Sequence, residues 1–320
     1  MGTSTVLSYN LVGERSRFSS TTTTTLRPVS VVMDIIPVEM IMDIFKYLDR
    51  PELWAMTLVA ARFRAVATNI LYHELLLVNS RLSRLVVSIQ ANPLNATIIK
   101  HVRIYLDTKF TPPESLKDLF LLLTHTPNLE MLYVSPLGYV NGVEWYPPPL
   151  PKLQVLEFKR LRMSVQLAES LVALPELKCL KMRRINYLYP VSQIHYLRAL
   201  ATNPSPTSEH LKTIMNNLIE FEGSMALILF LRDYGKLKYL TTSLSEGMEE
   251  EWRFLHQVAG ATLQYLRVRN VEVDDCRQLL SCASGFNALR YLGVVPLNIT
   301  APPSTMVRHI AFVIGTRIPT

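Results

Sequence analysis

The sequence predicts an α/β protein in which a small all-α unit of three helices precedes a solenoid of short strands and helices. Apolar residues recur at helical spacing between residues 31 and 78, and from Ile98 onward short apolar segments return at regular intervals. A third observation is that 49% of the 320 residues are hydrophobic and 18% are charged. This composition supplies a large core and excludes a chain that is disordered throughout.

The solenoid is predicted from segments of the form apolar-x-x-apolar-x-apolar. Clear copies begin at Leu129, Leu153, Leu177, Leu237, Leu263 and Leu289, and weaker copies begin at Ile99 and Leu211. Successive starts are 24 to 34 residues apart, and periods of this size are typical of solenoids. We therefore expect about eight units over residues 98–320, preceded by a connecting helix over residues 79–97.

The stretches between the segments predict helices. Leu116, Leu119 and Leu123 share one helical face, and Leu255 and Ala259 share another. Because one strand and one helix cannot bury their own apolar faces, the units must stack, with a parallel sheet on one face and helices on the other. Residues 203–208 are expected to form a loop that accounts for the 34-residue interval, and the Ser/Thr-rich residues 1–30 a flexible tail.

The N-terminal unit begins at Pro37, which suits the first turn of a helix. Ile41, Ile44 and Phe45 follow at helical spacing, Asp49-Arg50-Pro51 ends this helix, and two further short helices follow. Three such helices in about 45 residues can hardly bury their apolar faces on one another alone. They must dock on the rest of the chain or bind a partner.

The residues of this unit resemble an F-box. Residues 36–48 read I-P-V-E-M-I-M-D-I-F-K-Y-L, against the family pattern L-P-x-E-[LI]-[LI]-x-x-I-F-x-[YF]-L, and the likeness continues to Leu77. Ala61 stands where Cys is usual. The downstream segments resemble leucine-rich repeats that lack the usual Asn or Cys at the ninth position. The whole chain thus resembles an F-box protein with leucine-rich repeats, of the type expanded in fungi.

This resemblance implies a non-catalytic, substrate-recognition subunit of an SCF-type ubiquitin ligase. F-box helices bind the Skp-type adaptor subunit of a cullin–RING ligase, and the repeats hold a protein client. The positions carried over as adaptor-binding are Ile36, Pro37, Ile41, Ile44, Phe45, Leu48, Leu53, Leu58, Val59 and Phe63. For each residue the alternative is packing inside the F-box. For the protein, the alternative is an interaction scaffold that has no ubiquitin-ligase role.

Signatures of catalysis, cofactor binding or metal binding are not found in the sequence. The seven histidines are scattered, and no phosphate-binding, dinucleotide-binding or nucleophile-elbow motif occurs. We therefore expect neither an enzyme nor a cofactor or metal. Short apolar runs, three cysteines and no signal peptide predict a cytoplasmic or nuclear protein with no membrane span.

The candidate client-binding surface follows from strand periodicity, since alternate residues of each segment point away from the helices. These outward positions include three tyrosines in one register and five neighbouring cations: Tyr239, Tyr265, Tyr291, Lys159, Lys181, Arg183, Arg267 and Arg269. The predicted positions carry a net charge of +5, out of +7 for the chain. This charge favours an acidic protein client. A nucleic-acid partner is disfavoured because no recognised motif is present, and stacked tyrosines could instead serve only to stabilise the strands.

Overall fold

The computed structural model describes residues 36–106, 113–135, 147–159, 165–183, 191–230, 236–243, 249–271, 285–296 and 310–313. The predicted tail over residues 1–30 lies outside these ranges. Three helices lead into a sheet in which nine consecutive strands are parallel, with helices between them. The predicted α/β fold class is confirmed.

The helical unit consists of α1 (Val38–Phe45), α2 (Arg50–Val59) and α3 (Ala61–His73). A capping box starts α2: the Asp49 carboxylate accepts a hydrogen bond from the Glu52 amide at 2.9 Å, and the Glu52 carboxylate accepts one from the Asp49 amide at 2.8 Å. Both α1 and α2 pack on α3. The three helices bury a small core of their own, separate from that of the sheet.

The sheet has ten strands that lie side by side in chain order. They are β1 (Glu74–Val78), β2 (His101–Tyr105), β3 (Met131–Ser135), β4 (Val155–Lys159), β5 (Cys179–Arg183), β6 (Glu220–Ser224), β7 (Tyr239–Ser243), β8 (Tyr265–Val271), β9 (Tyr291–Pro296) and β10 (Ile310–Val313). Strands β1 to β9 are parallel, and β10 runs antiparallel to β9. Equivalent residues of successive units therefore lie beside one another.

The helices of the repeats alternate with these strands. They are α4 (Asn79–Ala91), α5 (Pro93–Ile98), α6 (Pro113–His125), α7 (Val165–Val172), α8 (Val191–Thr202), α9 (Pro206–Asn217) and α10 (Glu249–Ala259), with a 3₁₀ helix over Met225–Phe230. The region predicted as one connecting helix, residues 79–97, forms two helices. Pro93 separates them, because proline lacks the N–H that would continue α4.

The core of the repeats lies between sheet and helices. The fourth residue of each clear segment is fully buried and pairs in register with its equivalent in the next strand, as for Leu132 with Leu156 and Leu266 with Leu292. From the helices, Leu119 and Leu197 are also fully buried and belong to the same core. The inward positions predicted from periodicity are confirmed in these strands.

The weak copy predicted at Leu211 is wrong, because this residue lies in α9. Ser205 caps that helix by accepting a hydrogen bond from the Ser208 amide at 3.1 Å, so the predicted loop over 203–208 ends in a helix start. Leu211 and Ile214 are buried on one face of α9. The strand of this unit is β6, which begins nine residues further along the chain.

The end of the F-box-like sequence also folds differently from the expectation. The predicted helical unit extends to residue 78, but residues 74–78 form β1, the first strand of the sheet. Leu75 and Leu77 point into the core, and Leu76 and Val78 point outward. The helical unit and the repeats are therefore directly continuous at His73 and Glu74.

Candidate functional site

Six of the ten predicted adaptor-binding residues contribute to the interior of the helical unit. Ile41, Phe45, Leu53 and Phe63 are buried, and Ile36 and Leu48 pack against them half-buried. The rings of Phe45 and Phe63 meet edge to face, with centroids 5.4 Å apart. The four buried side chains therefore pack the interior of the helical unit in this structure.

The other four predicted residues, Pro37, Ile44, Leu58 and Val59, are exposed. Exposed apolar residues that the resemblance did not single out lie close to them in sequence: Met40, Tyr47 and Trp54. We call these seven the helical apolar surface. Met40 and Ile44 lie one turn apart on α1, and Trp54 and Leu58 lie one turn apart on α2. The i, i+4 spacing was visible in the sequence, but the sequence did not show which apolar face is buried.

The predicted tyrosine stripe is present on the outward face of the sheet. Tyr239, Tyr265 and Tyr291 are direct register partners. The first two rings are tilted, with centroids 6.3 Å apart, whereas Tyr265 and Tyr291 stack at 4.4 Å with 4° between their planes. Burial, reinforced by the Tyr291 phenol, raises the pKa of Tyr265.

Gly293 makes room for this stack. A Cβ atom at Gly293 would lie 2.9 Å from Cε1 and 3.1 Å from the hydroxyl oxygen of Tyr291. The ring of Tyr291 therefore lies along its own strand, over the backbone of Gly293. A side chain at this position would force the ring to move.

Acidic residues of β6 change the electrostatics of the sheet face. Arg183 Nε donates to Glu222 Oε2 at 2.9 Å, and Arg183 Nη1 lies 3.1 Å from Glu157 Oε1. Arg269 Nη1 donates to Glu222 Oε1 at 2.6 Å, and Lys181 Nζ lies 2.6 Å from Glu220 Oε1. These six residues form the ion-pair network of the face.

The Arg269 contact spans a whole strand, since Arg269 belongs to β8 and its partner Glu222 to β6. The intervening strand β7 presents Thr241 and Ser243 outward. These short side chains leave space for the guanidinium to cross, at a strand spacing of about 4.8 Å. The network therefore depends on which residues occupy three neighbouring strands.

Partial burial perturbs the network's ionisation. Burial raises the pKa of Glu157, while the charges of Arg183 and Lys181 act in the opposite direction. For Arg183, burial acts to lower the pKa, but the carboxylates of Glu222 and Glu157 outweigh it and the pKa is raised. The pKa of Lys181 is likewise raised by Glu220, so Arg183 and Lys181 remain charged at neutral pH.

The predicted net charge of +5 on the face is wrong. The sum behind it counted residues that lie in α9 instead of the residues of β6, and it left out the residues of β1. The outward positions of β1 to β9 carry six basic residues and four acidic ones, a net charge of +2. The network is neutral, and Arg103 pairs with Glu74 at 3.4 Å. Lys159 and Arg267 remain without an ion pair to any other described residue.

A second aromatic pair lies near the other end of the face. The rings of Tyr105 on β2 and Tyr133 on β3 are 5.4 Å apart, and Leu76 and Val78 on β1 are exposed beside this pair of strands. This cluster was missed because the two tyrosines occupy different registers and β1 was not expected in the sheet. The face thus has aromatic groups near both ends and charged residues between them.

Within the described ranges no group of three or more His, Cys, Asp or Glu side chains is arranged to hold a metal ion. In the same part of the chain, no helix combines the length and the apolar character needed to cross a membrane.

Residues 33–78 match the protein family described as F-box-like. No curated protein is similar to the chain in sequence. Among solved structures, the crystal structure of a Bacteroides fragilis protein is similar with a TM-score of 0.38 and 14% identity, over 66% of this chain and 54% of that one. The match thus spans about half of that protein, and a similarity of this size supports no inference about function.

The chain therefore contains an F-box-like domain over residues 33–78, followed by a parallel sheet with helices. F-box domains generally bind Skp-type adaptors in cullin–RING ligases, and proteins of this family are typically non-catalytic adaptors. The F-box-like domain indicates a protein-interaction adaptor.

Proposed function

We propose that the protein is the substrate-recognition subunit of an SCF-type ubiquitin ligase. Its F-box-like domain binds a Skp-type subunit of the cullin–RING complex, and the sheet face binds a protein client. The observation that carries the proposal is the match of residues 33–78 to the F-box-like family, on helices that expose the helical apolar surface. The downstream units act as irregular leucine-rich repeats.

The exposure of the helical apolar surface supports adaptor binding. Ile44 and Leu58 are 53% and 71% exposed although the same helices bury Phe45 and Leu53 in their own core. A contiguous exposed apolar patch marks an interaction site, and we infer that the exposed side chains of α1 and α2 form one. A protein partner that covers them removes this apolar area from water, which is the main favourable term in association.

The test is capture of a recombinant Skp-type subunit by the full chain and by the double variant Ile44→Asp with Leu58→Asp. Both side chains are exposed, so the substitutions leave the small core of the helical unit intact. Two charges buried in an otherwise apolar interface should weaken capture at least about a hundredfold, since each unpaired buried charge costs several kcal/mol.

The matched control is Val87→Asp. Val87 is 65% exposed on α4, outside the F-box-like domain, so it tests the effect of an added charge on an exposed apolar helical position. This variant should capture the Skp-type subunit as well as the unaltered chain. If the double variant also keeps full capture, the helical apolar surface is not the docking site. If the unaltered chain captures nothing, the protein is an interaction scaffold with no ligase role.

A further inference from the structure

We propose that the sheet face recognises one anionic side chain of its client and a flat apolar side chain next to it. Both are bound at the end of the sheet formed by β7, β8 and β9. This proposal rests on the proposed function in one respect, that the sheet face is the client-binding surface. It narrows the acidic client that the sequence predicts to one that presents a single anion at this site. The positive charges expected to attract a strongly acidic client are largely neutralised within the sheet.

The first step concerns the centre of the face. Each cation of the ion-pair network is already within 2.6 to 3.1 Å of a carboxylate. Because these carboxylates belong to the same chain, a client's acidic group would have to displace a partner that is already in place. A run of acidic side chains would also meet the charges of Glu157 and Glu222. The centre therefore disfavours a strongly acidic segment.

The second step concerns the remaining charge of +2, which belongs to Lys159 and Arg267. Lys159 is on β4 and Arg267 is on β8, four strands apart in the sheet order. At about 4.8 Å per strand, this is a separation of roughly 19 Å. That distance exceeds the Debye length of about 8 Å at physiological ionic strength. The two cations act as separate sites, each suited to a single anion.

The third step distinguishes these two cations. Arg267 lies next to the stacked rings of Tyr265 and Tyr291, and its register partners are the small residues Thr241 and Gly293. Arg267 is partly buried, and a guanidinium beside an aromatic surface can bind an anion through two parallel hydrogen bonds. Lys159 has another cation, Arg183, as its register partner on β5. We therefore expect Arg267 to bind the anion of the client, while a flat apolar side chain of the client packs on the neighbouring tyrosine rings.

The anion can come from two sources, an Asp or Glu carboxylate or a phosphorylated Ser or Thr. Both present oxygens that match the guanidinium fork. The flat group can be an aromatic side chain, because offset stacking on the exposed edge of the tyrosine stripe extends the existing stack. The probes in the experiment are chosen to separate these possibilities.

The experiment measures fluorescence anisotropy of short labelled peptides with the full chain. In a Gly/Ser background, one peptide carries Phe-Glu, one Phe-phosphoserine, one Phe-Gln and one a run of glutamates without Phe. We expect the Phe-Glu or the Phe-phosphoserine peptide to bind about tenfold more tightly than Phe-Gln, as one charged hydrogen-bonded contact requires. The tighter of the two identifies the source of the anion, and the run of glutamates should bind no better than Phe-Gln.

Two variants locate the effect. Arg267→Gln should abolish the preference for Phe-Glu or Phe-phosphoserine over Phe-Gln, whereas the matched variant Lys159→Gln should keep it. The proposal is overturned if the run of glutamates binds most tightly, if the preference survives in Arg267→Gln, or if no anionic peptide binds better than Phe-Gln. Capture of the Skp-type subunit is measured on the same proteins. If the unaltered chain shows no preference for an anionic peptide but still captures the Skp-type subunit, only this inference is refuted. If the unaltered chain captures no Skp-type subunit, the proposed ligase role is refuted.

Discussion

The substitution Glu222→Gln tests whether the ion-pair network stabilises the sheet. Glu222 is buried and accepts hydrogen bonds from Arg183 and Arg269 through different oxygens. A glutamine keeps the size of the side chain but offers one acceptor oxygen, and its NH₂ group must face a guanidinium that also only donates. One of the two arginines therefore loses its hydrogen bond to residue 222.

The magnitude follows from the exposure of the two arginines. A hydrogen bond to a charged group contributes about 1.5–3 kcal/mol to stability. The Arg269 side chain is 17% exposed, so water screens its contact with Glu222 little and nearly the whole of this energy applies to it. The Arg183 side chain is 44% exposed and keeps its ion pair with Glu157. We therefore expect Glu222→Gln to lower the free energy of unfolding by about 2–3 kcal/mol.

Urea unfolding followed by far-ultraviolet circular dichroism at pH 7 measures this loss. The matched control is Glu220→Gln on the same strand. Among the described cations, Glu220 forms an ion pair with Lys181, and it is 40% exposed, so its replacement should cost less than about 1 kcal/mol. The reasoning is refuted if Glu222→Gln destabilises the protein no more than Glu220→Gln.

Two further predictions concern the tyrosine stripe and Cys179. Gly293→Ala places a methyl group against the Tyr291 ring, so we expect a weaker near-ultraviolet tyrosine signal and a loss of about 1 kcal/mol in unfolding free energy. Burial, with the Glu220 carboxylate nearby, raises the pKa of the Cys179 thiol to about 12. At pH 8 roughly one thiol in ten thousand is then ionised, so iodoacetamide should alkylate Cys179 at least about a hundredfold more slowly than in urea-unfolded protein.

Each of these two predictions has a clear contrary result. An unchanged near-ultraviolet spectrum in Gly293→Ala would show that Tyr291 does not rest over the glycine. Alkylation of Cys179 is followed by peptide mass spectrometry, which separates it from the other two cysteines. Equal rates in the folded and the unfolded protein would show that the thiol is neither buried nor held in its protonated form.

Much of the sheet could be predicted from the sequence because its signal is local. Leu132 and Leu266 recur at the same place in their segments, and a strand with one buried face needs such alternation. The register of the tyrosine stripe followed from the same pattern. The F-box-like domain could be recognised because its motif lies within one continuous stretch of the chain.

Strand β6 could not be found in this way. Its sequence, E-F-E-G-S, contains one large apolar residue, Phe221, and two glutamates that face outward. The better local match, at Leu211, belongs to a helix whose cap is set by Ser205 and Pro206. Placing Glu222 beside Arg183 and Arg269 requires knowing which strand lies between β5 and β7.

By itself, the sequence determined the α/β class, the repeat period and the F-box-like domain, because these depend on spacing within short segments. The tertiary structure alone decided which apolar residues of the helical unit remain exposed and which charges on the sheet face pair with other described residues. Ile44 and Phe45 are adjacent and both apolar, yet one is exposed and the other is buried. Arg267 and Arg269 share a strand face, yet Glu222 pairs with the second. The reason is that exposure and charge pairing are set by the neighbours that distant parts of the chain provide.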